Sequence, residues 1–96
     1  MNNLEQNDNI GKVVYSKAGR DKDRFFIIVG KLNDEYVYIS DGCLRLMEKP
    51  KKKKIRHLSF TNMLSEEIRE LILSGNTINN SLIRKFLQSH DMNKEV

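Results

Sequence analysis

The chain has no tryptophan, one cysteine and one proline in 96 residues. A lone Cys43 cannot form an intramolecular disulfide, so packing and hydrogen bonds must hold the fold, as befits a reducing compartment. No stretch approaches the roughly 18 apolar residues needed to cross a bilayer. The opening MNNLEQNDNI lacks the basic-then-apolar order of a signal peptide. These absences predict a soluble cytoplasmic protein with no membrane partner, monomeric when unbound. The length suits one domain, and a chain of this size buries only about 60–65% of its unfolded surface, so the core must be thin.

Signatures of catalysis are missing as well. There is no G-x-S-x-G, G-x-x-x-x-G-K-[ST], G-x-G-x-x-G or C-x-x-C, and His57 and His90 lie too far apart for H-E-x-x-H. Cys43 and His57 would make a nucleophile–base pair only across neighbouring strands, and a small thiol beside a sheet is the plainer reading. Asp21-Lys22-Asp23 begins like a calcium loop, but Phe25 stands where a third oxygen ligand belongs and the glycine is absent. The expectation is a protein that is not an enzyme and carries no metal or other cofactor.

What the sequence does have is concentrated positive charge. The formal net charge is +4, yet residues 1–43 sum to −1 and residues 58–96 to −1. Residues 44–57 carry Arg45, Lys49, Lys51, Lys52, Lys53, Lys54 and Arg56 against Glu48 alone, a sum of +6. A field gathered in so short a segment attracts polyanions.

Hydrophobic periodicity divides the chain. Val13, Val14 and Tyr15 give one short strand signal, and Phe25, Phe26, Ile27, Ile28 and Val29 a stronger one, separated by a polar loop turning at Gly19. Asn33-Asp34 turns the chain into Tyr36-Val37-Tyr38-Ile39, where Val37 and Ile39 share one face and the tyrosines the other. Asp41-Gly42 suits a tight hairpin, so Cys43-Leu44-Arg45-Leu46 reads as a fourth strand, and Ile55 with residues 57–60 closes a small sheet. Such close spacing leaves no room for crossover helices, which excludes a parallel sheet and favours a small barrel or sandwich.

The period then lengthens. Ser65 is placed to cap a helix with Glu66 and Glu67 in its first turn, and Gly75 ends it. Ile68, Leu71 and Ile72 form its apolar stripe; Leu82, Ile83, Phe86 and Leu87 form that of a second helix starting near Asn79 or Asn80. The short link makes the helices antiparallel neighbours. The expected organisation is a disordered tail at 1–9, a β domain at 10–60, a helical pair at 61–90 packed on it, and a frayed tail at 91–96. Residues 10–60 are expected to keep β structure without the helices, at a cost of a few kcal/mol in stability.

Two groups of cations are candidates for phosphate contact. Lys51, Lys52, Lys53 and Lys54, with Arg45, Lys49, Arg56 and His57, read as a basic loop between β segments. Lys17, Arg20, Lys22 and Arg24 lie in the turn after the first strand, and two such loops can meet at one end of a small barrel. Asp21 and Asp23 either pair with their basic neighbours or weaken that patch. Of Tyr15, Phe25, Phe26, Tyr36 and Tyr38, about three are expected in the core, leaving the others able to stack on bases.

Ile10-Gly11-Lys12-Val13-Val14-Tyr15-Ser16-Lys17-Ala18-Gly19-Arg20-Asp21-Lys22, running into Phe25-Phe26-Ile27-Ile28-Val29, resembles a KOW motif. With Ser40-Asp41-Gly42, Arg45, Glu48-Lys49-Pro50-Lys51-Lys52-Lys53-Lys54 and His57-Leu58, residues 10–60 are similar to the bacterial KOW-domain RNA-binding proteins. Those are related to a large-subunit ribosomal protein of archaea and eukaryotes. The resemblance implies a small SH3-like β-barrel of KOW type followed by a short helical pair, binding ribosomal RNA through its loops without catalysis. The resemblance also implies ribosomal proteins as further partners, and the alternative function is an adaptor docking on a ribosomal or transcription protein. One departure is Asp23, where the family pattern has glycine; glycine there permits positive φ and close phosphate approach.

Overall fold

The computed structural model describes residues 9–93. Five strands form one antiparallel sheet: β1 (Lys12–Ser16), β2 (Phe25–Lys31), β3 (Tyr36–Ser40), β4 (Lys51–Lys54) and β5 (Leu58–Leu64). Helices α1 (Glu66–Leu73) and α2 (Asn80–Ser89) follow. The ladder runs β4-β3-β2-β1-β5, so β4 and β5 are edges and the sheet is open rather than a closed barrel.

The sheet nevertheless curls. Lys53 Nζ on β4 donates to the Ala18 carbonyl, just after β1, at 2.7 Å. In a flat sheet these strands would lie three spacings, about 14 Å, apart, farther than a lysine extends. Register shifts between Ile28 and Gly30, and between Lys12 and Val14, mark irregularities of the kind that increase strand twist. A 3-10 turn, Ile55–His57, carries the chain from β4 to β5.

Alternation along the strands builds a core on each face. Val14, Phe26, Ile28, Val37 and Ile39 pack with Ile10 and Leu58 on the concave side. Val13 and Ile27 point the other way and are covered by Ile68 of α1, Ile83 and Leu87 of α2, and Ile78 between the helices. The helix signals read from the sequence hold. Ser65 Oγ accepts from Ile68 N, Asn79 Oδ1 accepts from Leu82 N, and Gly75 leaves α1 at φ +82°. Both apolar stripes meet the sheet's convex face, and Ile72 of α1 also reaches the concave core.

Four expectations change. Residues 43–46 are not a strand: Asp41 Oδ1 accepts from Cys43 N and Arg45 N at 3.0 and 2.9 Å, and Ser40 Oγ donates to Arg45 O. Local side-chain bonds of this kind occupy the groups that a ladder would need. The lysine run is not a loop but β4, paired with β3 in the register Tyr36↔Lys54 to Ile39↔Lys51. Lysine can occupy a strand because its aliphatic stem packs while its ammonium finds oxygen or water. β5 continues to Leu64, four residues beyond the expected boundary. At the C-terminal end, residues 91–93 are docked rather than frayed: Met92 packs against the helix-side core, and Asn93 Oδ1 accepts from Phe25 N at 2.8 Å. The tail expectation for residues 1–8 and 94–96 lies outside the described residues.

Candidate nucleic-acid interface

The loops at residues 17–24 and 41–50 meet at one end of the sheet. Arg45 Nε donates to Asp21 Oδ1, and an Arg24 terminal nitrogen donates to Asp41 Oδ2, each at 3.0 Å. Both carboxylates are only 2% exposed. Charge pairs this secluded hold a geometry, because separating either would strand a buried charge. Lys17 N donates to His57 O at 2.9 Å, which ties the first loop to the 3-10 turn as well. Gly42, at φ +73°, locks the second loop to α2. A Cβ there would collide with the Asn80 carbonyl oxygen, and Arg84 donates to the Gly42 carbonyl. The first loop therefore meets the 41–50 segment through four residues that cancel one another's charge, while the lysine run, expected as the second basic loop, lies in β4 instead.

The candidate cations separate into distinct roles. Lys17, Arg20, Lys22, Lys49, Lys52 and Arg56 are exposed, while Lys51, Lys54 and His57 are half-buried. Arg24 and Arg45 are spent on the two ion pairs. Lys53 is 7% exposed and turns inward to Ala18 O, closing the curled sheet rather than facing solvent. Strand alternation thus sends Lys53 inward and Lys52 and Lys54 outward, an outcome that a loop reading of the run did not contain. Lys53→Met is expected to cost about 1.5–3 kcal/mol, the range for a charged hydrogen bond. Lys52→Gln should stay within about 0.5 kcal/mol. Urea midpoints of the two variants check the contrast.

Asp23 has φ +72°, the left-handed conformation for which glycine is favoured. Its carboxylate accepts from the Tyr15 hydroxyl at 2.7 Å, and that bond pushes the phenol's pKa up. Asp23→Gly is expected to change stability by no more than about 1 kcal/mol, since released strain is offset by greater unfolded-chain entropy. It also removes a negative charge from the loop, so a polyanion contacting residues 17–24 should bind more tightly. Weaker binding would show that the carboxylate orders the loop for its ligand.

Among the five aromatics considered for the core, only Phe26 is fully buried; Tyr15, Phe25, Tyr36 and Tyr38 are half-buried. Fewer than the expected three lie in the core because the helices cover only part of the convex face. A further pair has no signal in the sequence: Lys12 places its ammonium 5.9 Å from the centroid of Phe60, which is 40% exposed. Their proximity arises from β1–β5 pairing, which no local pattern reveals. Leu44 and Leu46 are exposed and border a depression of about 370 Å³ with Arg45, Lys49, Pro50 and Lys51. Among the described residues no cluster of metal-ligating side chains occurs, and no helix is long and apolar enough to cross a membrane. Compared with family models and with curated proteins, the chain gives no match.

Proposed function

We propose that the chain is a non-catalytic, cytoplasmic RNA-binding protein of KOW type, holding structured ribosomal RNA at or near the ribosome through its basic end. One observation carries this reading: Lys17, Arg20 and Lys22 project from a loop fixed at both flanks by buried ion pairs and main-chain bonds. Cations on such a loop meet phosphates with little ordering cost. The SH3-like assignment draws support from the curled five-stranded sheet and from the 3-10 turn that joins its two edge strands.

A second reading is a protein adaptor, favoured by Leu44 at 58% and Leu46 at 41% exposure beside Lys49 and Lys51. Salt separates the two, because each phosphate contact contributes roughly −0.7 to −0.9 to the slope of log affinity against log salt. Replacing Lys17, Arg20 and Lys22 with glutamine should make that slope shallower by about 2 units on an rRNA fragment, with the melting temperature unchanged. Crosslinking RNA from ribosomal gradient fractions identifies the fragment. An unchanged slope in the folded triple variant would remove the basic end from RNA recognition and put the adaptor reading first.

A further inference from the structure

A second surface lies on the convex side of β3 and β4, past the area the helices cover. Tyr36 and Tyr38, two residues apart, project from the same face of β3 and are half-exposed. Lys54 and Lys52 stand directly opposite them on the edge strand. Lys52 Nζ sits 5.0 Å from the Tyr36 ring centroid and Lys54 Nζ 5.9 Å. Tyr38 lies against Gly30 on β2, where a Cβ would come within 3.4 Å of its ring. Neither phenol has a hydrogen-bond partner among the described residues. The result is two rings flanked by two ammonium groups, on a rigid strand pair with solvent above.

Lysines on an edge strand also discourage sheet-to-sheet pairing, which accounts for the charges but not for paired tyrosines beneath them. Rings presented from consecutive outward positions of a strand suit unpaired bases, since every base has a π-face and successive bases can occupy successive rings. The ammonium groups supply the charge complement to a sugar-phosphate backbone. A duplex offers phosphates but no free base face, so this surface selects single strands. We propose that the β3–β4 face binds two consecutive unpaired nucleotides of RNA, stacked on Tyr36 and Tyr38, with Lys52 and Lys54 on the adjoining phosphates. This rests on the RNA-binding reading and adds a site separate from the basic end. In the free protein the lysines lie near the Tyr36 ring; a bound base takes that ring face and the ammonium groups turn to phosphate.

Tyrosine fluorescence tests the site, because the chain has three tyrosines and no tryptophan. Short oligoadenylate and oligouridylate should quench emission on binding. Tyr36→Leu and Tyr38→Leu should each weaken binding of these single strands roughly tenfold or more. Tyr36→Phe and Tyr38→Phe, which keep the ring, should bind like the parent. Lys52→Gln with Lys54→Gln should flatten the salt slope by about 1 to 2 units. Circular dichroism confirms that each variant is folded. If the leucine variants bind single strands as the parent does, or single strands bind without quenching, the stacking site is wrong even where an rRNA hairpin still binds. Failure of the parent to bind either RNA would instead overturn the RNA-binding reading, and this site with it. Leucine variants that keep RNA affinity but lose a ribosomal-protein contact would make the face a protein-docking surface and likewise overturn the proposal.

Discussion

Ending the chain after Leu64 is expected to abolish folding, not merely weaken it. The sheet has two buried faces, and the convex one is completed by Ile68, Ile78, Ile83 and Leu87, each at most 5% exposed. Full burial of one such side chain contributes about 1.5–3 kcal/mol, so the four together contribute roughly 6–12 kcal/mol. Their loss would also expose Val13 and Ile27, which are completely buried. A domain of this size has only about 5–15 kcal/mol of net stability. Circular dichroism and thermal melting of residues 9–64 should therefore show no cooperative transition. A truncated chain that melts cooperatively would mean that the concave core suffices alone, as the sequence reading expected. The difference between the two expectations lies in Val13 and Ile27, whose exposure on losing the helices adds an apolar cost that the concave core would have to offset.

The second large effect is expected at Asp41, outside both hydrophobic cores. Its carboxylate accepts from Cys43 N, Arg45 N and Arg24, and it is 2% exposed. Asp41→Ala removes all three acceptor contacts and the buried carboxylate that faces Arg24, a loss of about 3–5 kcal/mol for a buried pair broken on one side. At about 4–8 °C per kcal/mol for a domain near this size, the melting temperature should fall by roughly 12–40 °C. Asp41→Asn keeps acceptor oxygen without charge and should fall by less. The segment at 43–46 should also become more open to proteolysis, since Asp41 holds its amides. A melting point within a few degrees of the parent in the alanine variant would show that the ion pair is dispensable and that Gly42 and Arg84 alone fix the loop.

Much of this architecture was legible in the order of residues. Period-two alternation in Tyr36-Val37-Tyr38-Ile39 gave the two faces of β3, and the period of the apolar residues after Ser65 gave both helices with their caps. These signals are local: an N-cap needs its own first turn, and a strand's faces follow from backbone geometry alone. The left-handed conformation at Asp23 is one that aspartate tolerates better than most residues, but nothing in its immediate sequence requires it.

The candidate site was legible as a composition but not as an arrangement. Four consecutive lysines announce positive charge wherever they fold, but whether they form a loop or a strand depends on β3 offering its edge, and lysine has no strong preference to decide it. Likewise Asp41-Gly42 reads equally as a hairpin turn or as the start of a folded loop; the Arg24 side chain, seventeen residues earlier, selects the second. Composition sets the amount of charge, and neighbours within a few positions set the spacing of apolar residues and the places where helices begin and end. Long-range packing turns Lys53 inward to Ala18, keeps Lys52 and Lys54 outside beside Tyr36, and sets Asp21 and Asp41 against Arg45 and Arg24. Those outcomes depend on groups far apart in the chain, brought together by sheet curl and by the free-energy cost of leaving a charge buried without its partner.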